Sequence, residues 1–578
     1  MAGDNDQQNI KILRLIASLS PDKQALLRQQ IGKRLVSGHV AVAQTLRSLG
    51  VTHVYGIIGT PIVETMVACA KAGLRVIGVH HQQAAVMMAT AHNYSAGGMK
   101  AIALVSAGPA VTNAATGILV AKDNCWPVLI LGGRRPLNSK EQGQFQYLDG
   151  VALFQSITKW AAVVENTAAI PDSIHHAIQI ALAGQLGPVY LDLPEDVLNN
   201  NIQNFEPPAI QAAQINECNV ADVKAAANLL LHSERPGLII GKGVRWSQCD
   251  DGLKNLVEKF RIPFITSPMG RGYLPDDHPL CFNRASSLLQ SGADTLLVLG
   301  ARLDWTFRYG SEFAHNAKLI HVDIAQHEIG RNKETAIGIA ADIGQFLNAF
   351  IPQMETASAG ENNATSEAWL DSMSEQRKQF ASRLDEVCHA EGTPMTPHRM
   401  LKEIREVLPQ DAICVTDGNI IMAAVQQVIL ALYPASRLTA GSNGCLGTGI
   451  PFGMGAKLAN PQRPVVVITG DSSFGFNAME LETAMRHNIP IVVIIANNEG
   501  PNGSLYHKNL YPVGHPDRTT MFLPDIRYER IIEAFGGHSE YVEYPGQLAP
   551  ALQRALDSGL PTCINVRVDP DAYLQKLM

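Results

Sequence analysis

Short apolar runs of strand length recur along the chain, each closed by Gly, Pro or a polar residue, with helically spaced segments between them. Val54-Tyr-Gly-Ile-Ile-Gly, Ala101-Ile-Ala-Leu-Val-Ser, Val128-Leu-Ile-Leu-Gly-Gly and Val189-Tyr-Leu-Asp-Leu-Pro form one group. Gly237-Leu-Ile-Ile-Gly, Thr295-Leu-Leu-Val-Leu-Gly and Leu319-Ile-His-Val-Asp-Ile form a second. Ala412-Ile-Cys-Val-Thr-Asp, Pro464-Val-Val-Val-Ile-Thr and Ile489-Pro-Ile-Val-Val-Ile-Ile-Ala form a third. Runs that do not alternate with polar residues predict strands buried on both faces, and helices between them predict parallel sheets. In the third group one strand ends at Gly470-Asp471, a helical segment carrying Met479, Leu481 and Ala484 follows, and the next strand ends at Asn497-Asn498-Glu499-Gly500. Asp471 and Asn498 thus stand at the carboxyl ends of two strands, the edge where open α/β sheets bind ligands.

The grouping predicts an α/β protein of three doubly wound parallel-sheet domains, over 39–205, 218–352 and 393–578. A chain of 578 residues has room for about three cores. Residues 206–217 read as a polar linker, and roughly 353–392 as a charged connection rich in Ala, Ser and Glu. Residues 1–38 stand apart as a helical extension. Ile10, Leu13 and Ile16 share one helical face, Ser20-Pro21-Asp22 reads as a helix start, and Leu26, Leu27, Ile31 and Leu35 form a second stripe. Packing on the body and docking of a partner both fit that pattern.

Charge and composition narrow the classes. A net charge of −7 argues against a nucleic-acid partner. The longest apolar runs are strand-length, so no membrane span is expected. The opening Met-Ala-Gly-Asp-Asn-Asp-Gln-Gln is polar and acidic, unlike an ordinary signal peptide. Nine cysteines lie singly with no Cys-x-x-Cys pair, which reads as reduced thiols in a cytoplasmic protein.

Asp471 offers a carboxylate, Asn498 an amide oxygen and Gly500 a carbonyl, an oxygen-only set that suits magnesium bridging a diphosphate. Backbone N–H groups at Ser472 and Ser473 suit phosphate oxygens. Asp471 and Asn498 are 27 residues apart, and this spacing resembles the thiamine-diphosphate motif, Gly-Asp-Gly followed by Asn-Asn, with Ser472 in the last glycine's place. Gly470-Asp-Ser-Ser-Phe-Gly-Phe is similar to the 2-hydroxyacyl-CoA lyases and oxalyl-CoA decarboxylases. The resemblance covers about residues 39–570. It implies that the first domain grips the cofactor's aminopyrimidine ring, with Asn113 a contact: Ser106-Ala-Gly-Pro-Ala-Val-Thr-Asn113 resembles the family's Gly-Pro-Gly turn, Ala110 replacing its last glycine. It further implies that Leu446, where relatives commonly have Met, wedges between the cofactor's rings, and that the Gly444 carbonyl accepts its 4′-amino proton. Pro268-Met-Gly-Arg-Gly and Gly300-Ala-Arg-Leu-Asp-Trp305 resemble the family's middle domain, which holds ADP in oxalyl-CoA decarboxylases. Arg302 and Asp323 are then expected contacts for ADP or CoA, unless Arg302 and Trp305 brace domain packing; FAD is not indicated. In relatives the pyrimidine-gripping domain of one chain faces the diphosphate domain of another, which implies a homodimer or homotetramer.

Some residues depart from that pattern. The family reads His-Glu-Gln-Ala-Ala where this chain has His81-Gln82-Gln83-Ala84-Ala85. A neutral amide at Gln82 can donate or accept a hydrogen bond but cannot ionise. Three readings stay open: slower cofactor activation, a non-catalytic homologue, or an introduced substitution. His80 and His81 are nearby candidates for proton transfer, although a His at a strand end is more often a satisfied surface residue. Phe145-Gln146 resembles the lyases rather than the Tyr-Glu of oxalyl-CoA decarboxylases. Gly500-Pro501-Asn502 replaces Gly-Ile-Tyr and sets the small amide of Asn502 over the reaction centre. The chain reaches Met578 without the basic tail that encloses CoA in relatives. Leu19-Ser-Pro-Asp-Lys-Gln-Ala-Leu-Leu is similar to helical segments preceding catalytic domains in nonribosomal peptide synthetases, which makes residues 1–38 a carrier-protein contact. The expected function is a thiamine-diphosphate- and magnesium-dependent carbon–carbon lyase or ligase, most like a 2-hydroxyacyl thioester lyase. The alternatives are an acyloin-forming carboligase or 2-oxoacid decarboxylase in a biosynthetic pathway, and a cofactor-binding homologue without activity.

Overall fold

The computed structural model of the chain describes residues 35–139, 145–203, 205–208, 218–358, 365–512 and 514–572, together with residues 20, 23 and 143. The helices expected before residue 35, and the carrier-protein contact assigned to them, lie outside these except for residues 20 and 23. Residues 209–217 of the linker and the closing Lys-Leu-Met lie outside as well. Val36–Ser37 pair antiparallel with Asn201–Ile202, and the Ser37 hydroxyl accepts from the Val40 N–H to cap the helix Gly38–Ser48. That clasp joins the two ends of the first α/β body.

The apolar runs become three wholly parallel sheets. Across the first, the strands lie in the order Arg75–Gly78, His53–Gly56, Ala101–Val105, Val128–Arg134, Pro188–Pro194 and Trp160–Val163. The central sheet runs Phe264–Thr266, Pro236–Ile240, Thr295–Leu299, Lys318–Asp323 and Ile337–Ala340. The last runs Arg437–Leu438, Ile413–Asp417, Val465–Gly470, Val492–Asn497, Thr562–Arg567 and His538–Val542. Ile489-Pro-Ile precedes the Val492–Asn497 strand instead of opening it; Pro490 lacks the N–H that a ladder needs.

In every sheet the strand order reverses between the first strand in sequence and the third. Loops leaving two such strands diverge and open a crevice at their carboxyl ends. The crevices fall beside residues 57–61 and 106–113, beside 241–243 and 300–305, and beside 418–419 and 470–473.

The first and last bodies share one core. The helix Gln82–Ala96 packs on the helix Gly449–Ala459, with Val86, Met87, Met88, Phe452 and Met454 fully buried between the sheets. Gly455 lets the helices approach: a Cβ there would stand 2.3 Å from the Met88 carbonyl oxygen. The charged connection over 353–392 is largely a helix, Glu367–Cys388. Its Trp369, Leu370 and Met373 pack on the central core, and its Phe380, Leu384 and Cys388 on the last. Among the described residues no helix is long and apolar enough to cross a membrane, and all nine cysteines are unpaired.

Candidate active site

The crevice of the last sheet holds a cavity of about 300 Å³. Gly470, Asp471, Ser472 and Ser473 form one wall, Asn498, Gly500 and Asn502 a second, and Gly444 and Leu446 a third. The strand Val465–Gly470 delivers Asp471 to the rim and buries it there, 2% exposed. Its carboxylate accepts from the Gly500 N–H at 2.8 Å and from the Ser472 N–H at 2.7 Å, binding the two strand-end loops together. Burial pushes the Asp471 acid up to about 6, and these two hydrogen bonds hold it down in part. The Ser472 N–H, expected for a phosphate, is therefore already engaged by the carboxylate. The Ser472 hydroxyl is buried at the wall without a hydrogen-bond partner among the described residues, and a Cβ at Gly470 would meet nothing within 4 Å.

The Asn498 amide oxygen lies 3.0 Å from the Gly500 carbonyl oxygen, with the amide nitrogen 3.1 Å from the Gly503 N–H. Turning the amide by half a rotation would satisfy both ends within the protein. A carboxylate, a side-chain amide and a backbone carbonyl lining one cavity are a donor set that fits magnesium carrying a diphosphate. Among the described residues no cluster of three or more His, Cys, Asp or Glu could hold a metal ion.

Asn502 has a left-handed backbone, φ 61°, a conformation that Asn tolerates better than most residues. Its side-chain oxygen accepts from Asn419 Nδ2 at 2.7 Å, across the cavity from the Ile413–Asp417 strand end. Neither Asn419 nor the buried Asp417 was anticipated. Asp417 accepts from the Gly449 N–H at 2.8 Å, and burial pushes its acid up to about 6. The signal for both was a second apolar strand with an aspartate at its carboxyl end, Ile413–Asp417, as Val465–Gly470 has in Asp471.

A second group stands apart. Gln82 opens its helix, 9% exposed, and its side-chain oxygen accepts from Asn113 Nδ2 at 3.0 Å. His81 Nδ1 accepts from the Gln83 N–H and so caps that helix; burial lowers its pKa. His80 Nε2 pairs with Glu482 at 2.7 Å. The buried carboxylate of Glu480 accepts from the backbone N–H groups of both His80 and His81 at 3.0 Å, and from the Thr483 hydroxyl. None of Gln82, His81 or Asn113 lines the 300 Å³ cavity. One chain carries both groups but does not bring them together.

In the central body, Arg302 donates to the Asp123 carbonyl at 3.0 Å and to Cys125 Sγ at 2.7 Å, and lies 3.2 Å from Glu328. Trp305 Nε1 donates to the Ser442 carbonyl at 2.7 Å. Both side chains fasten the central body to its neighbours. Asp323 is buried at a strand end, accepts from the Ala325 N–H and has its acid pushed up to about 6 by burial. Arg302 also borders a cleft of about 630 Å³ with Lys122, Lys159, His327 and Arg331.

Three family models match the chain: Thiamine pyrophosphate enzyme, N-terminal TPP binding domain, over 36–153; the central domain, over 223–350; and the C-terminal TPP binding domain, over 418–566. 2-Hydroxyacyl-CoA lyase 1 of Homo sapiens is 30% identical, with 93% of this chain and 95% of that protein covered. The 2-hydroxyacyl-CoA lyase of Arabidopsis thaliana is 32% identical over 93% and 96%. Oxalyl-CoA decarboxylase of Escherichia coli (strain K12) is 30% identical over 93% and 96%. With three matched models and relatives aligned along nearly its whole length, the chain belongs to the thiamine pyrophosphate enzymes, as a lyase or carboligase of that family.

Proposed function

We propose that the protein breaks or makes a carbon–carbon bond beside a carbonyl, with thiamine diphosphate and magnesium as cofactors and a 2-hydroxyacyl thioester as substrate. The observation that carries this reading is the buried Asp471 carboxylate at the rim of a cavity whose other walls bear Asn498, Gly500, Gly444 and Leu446. When bound, the cofactor supplies a nucleophilic carbon and an electron sink. The chain supplies the rest. Asp471, Asn498 and the Gly500 carbonyl hold the metal; the open face at Gly470 and the Ser472 and Ser473 hydroxyls receive the diphosphate. Leu446 bends the cofactor, and the Gly444 carbonyl orients its amino group. Asn502, steadied by Asn419, faces the substrate with its amide nitrogen. Gln82 and Asn113 meet the pyrimidine ring of the cofactor held by a second chain, so the working unit is a homodimer or a dimer of dimers.

The small polar wall made by Asn419 and Asn502 favours a second reading, an acyloin-forming carboligase or 2-oxoacid decarboxylase acting on a compact substrate. The cleft lined by Lys122, Lys159, Arg302 and Arg331 supports ADP or CoA phosphates there. One experiment divides the readings: purified protein with both cofactors is incubated with a panel of 2-hydroxyacyl-CoA thioesters and with 2-oxoacids, and products are read by mass spectrometry. Aldehyde and formyl thioester from the first set support the lyase. Acyloin or carbon dioxide from the second set alone would sink it.

A further inference from the structure

The Gln82 amide is held at one end only. Its oxygen is taken by Asn113 Nδ2 at 3.0 Å, while its nitrogen has no partner among the described residues. The two side chains come from different helices, Gln82–Ala96 and Pro109–Asn113, at the crevice of the first sheet. The turn before the second helix depends on Gly108: its φ is 62°, and a Cβ there would stand 2.8 Å from the Gln146 carbonyl oxygen.

An amide has one accepting end and one donating end, so seating the oxygen on Asn113 fixes the sense in which the nitrogen is presented. A pyrimidine ring nitrogen is an acceptor. An amide oxygen turned toward it would set lone pair against lone pair, whereas the NH₂ group makes a hydrogen bond. A carboxyl group has no such problem, because either oxygen can carry the proton. The orientation therefore matters for the amide of Gln82 in a way it would not for a carboxyl group in its place.

We propose that Asn113 is a positioning residue that locks the Gln82 amide with its nitrogen toward the pyrimidine ring nitrogen of thiamine diphosphate. Position 82 then acts as a fixed neutral donor. This rests on the reading in which Gln82 faces that ring. The lock holds the ring in register without an ionisable proton, and it requires that residue 113 be a donor.

Thiamine diphosphate affinity, measured by calorimetry on the full chain in saturating magnesium, tests the lock without turnover. Asn113 is exposed in the chain, so its replacement leaves the fold standing. Asn113→Ala weakens binding about fivefold to tenfold, the worth of one hydrogen bond. Asn113→Asp accepts from the Gln82 nitrogen, turns the oxygen to the ring and weakens binding roughly fiftyfold. In a Gln82→Glu background, Asn113→Ala changes affinity by less than about twofold, because the symmetric carboxyl needs no lock. Equal losses from Asn113→Ala with and without Gln82→Glu, or wild-type affinity in both Asn113 variants, overturn the lock. Gln82→Leu separates the two ways of failing. If it binds the cofactor as tightly as the wild type, the reading beneath the proposal falls with it. If Gln82→Leu loses affinity while the Asn113 variants lose none, the lock alone is wrong.

Discussion

Asp417 and Asp471 stand at the ends of neighbouring strands, and burial pushes both acids up to about 6, yet their surroundings differ. Asp471 is proposed to meet a metal. Asp471→Ala should weaken thiamine diphosphate binding in magnesium at least tenfold, or about 1.4 kcal/mol, and unchanged affinity in calorimetry would remove it from the metal site. Asp417 instead bonds the Gly449 backbone and is fully enclosed. Its folded pKa lies above the ordinary 3.8, so the stability it contributes is complete below about pH 4 and is lost as pH rises to about 6. Asp417→Asn should therefore stabilise the cofactor-free protein increasingly between those pH values, by on the order of 2–3 kcal/mol above pH 7. Thermal unfolding at pH 4, 6 and 8 reads this directly; an advantage that does not grow with pH would refute it. Asp471 stood out as a candidate because Asn498 and Gly500 follow at a recognisable spacing. Asp417 and Asn419 meet their partners, Gly449 and Asn502, only after the sheet has folded, and no spacing announced them.

Between elements, the least legible contact is the most informative. Glu480 reads in sequence as an ordinary helix acid, but the fold buries it, 1% exposed, beneath the turn before Gln82. It there accepts two backbone N–H groups 399 and 400 residues away. Glu480→Ala leaves both donors without a partner, so hydrogen exchange at the His80 and His81 amides should quicken at least tenfold, about 1.4 kcal/mol of local opening. Glu480→Gln, which keeps an acceptor, should quicken it less. Equal exchange in all three proteins would show that the turn is held by something else. The apolar runs that become central strands were plain, since burial on both faces leaves an unbroken hydrophobic signature. Edge strands such as Arg75–Gly78 and His538–Val542 escaped it because water or a neighbouring loop covers one side. The helix Glu367–Cys388 was passed over as a charged connection; its stripe of Trp369, Leu370, Met373, Phe380 and Leu384 has helical spacing but sits among exposed charges.

At the scale of the whole molecule, two groups of residues point to a single cofactor and do not share a cavity. If the site is completed by a second chain, light scattering should give a dimer or tetramer at assay concentration, and a fully active monomer would contradict the arrangement. The separation also sets a rule for mixtures. On the proposed reading, a subunit carrying Gln82→Leu lacks only the pyrimidine contact, and a subunit carrying Asp471→Ala lacks only the metal cradle. Each alone builds dimers with two defective sites. Unfolded together and reassembled at random, half the dimers would be mixed, and each of these would carry one doubly damaged site and one that is wholly native. About one quarter of the native number of tight cofactor sites should reappear from two parents that have none. A site built within one chain could never be recovered in this way, so two broken proteins should together do what neither can do alone.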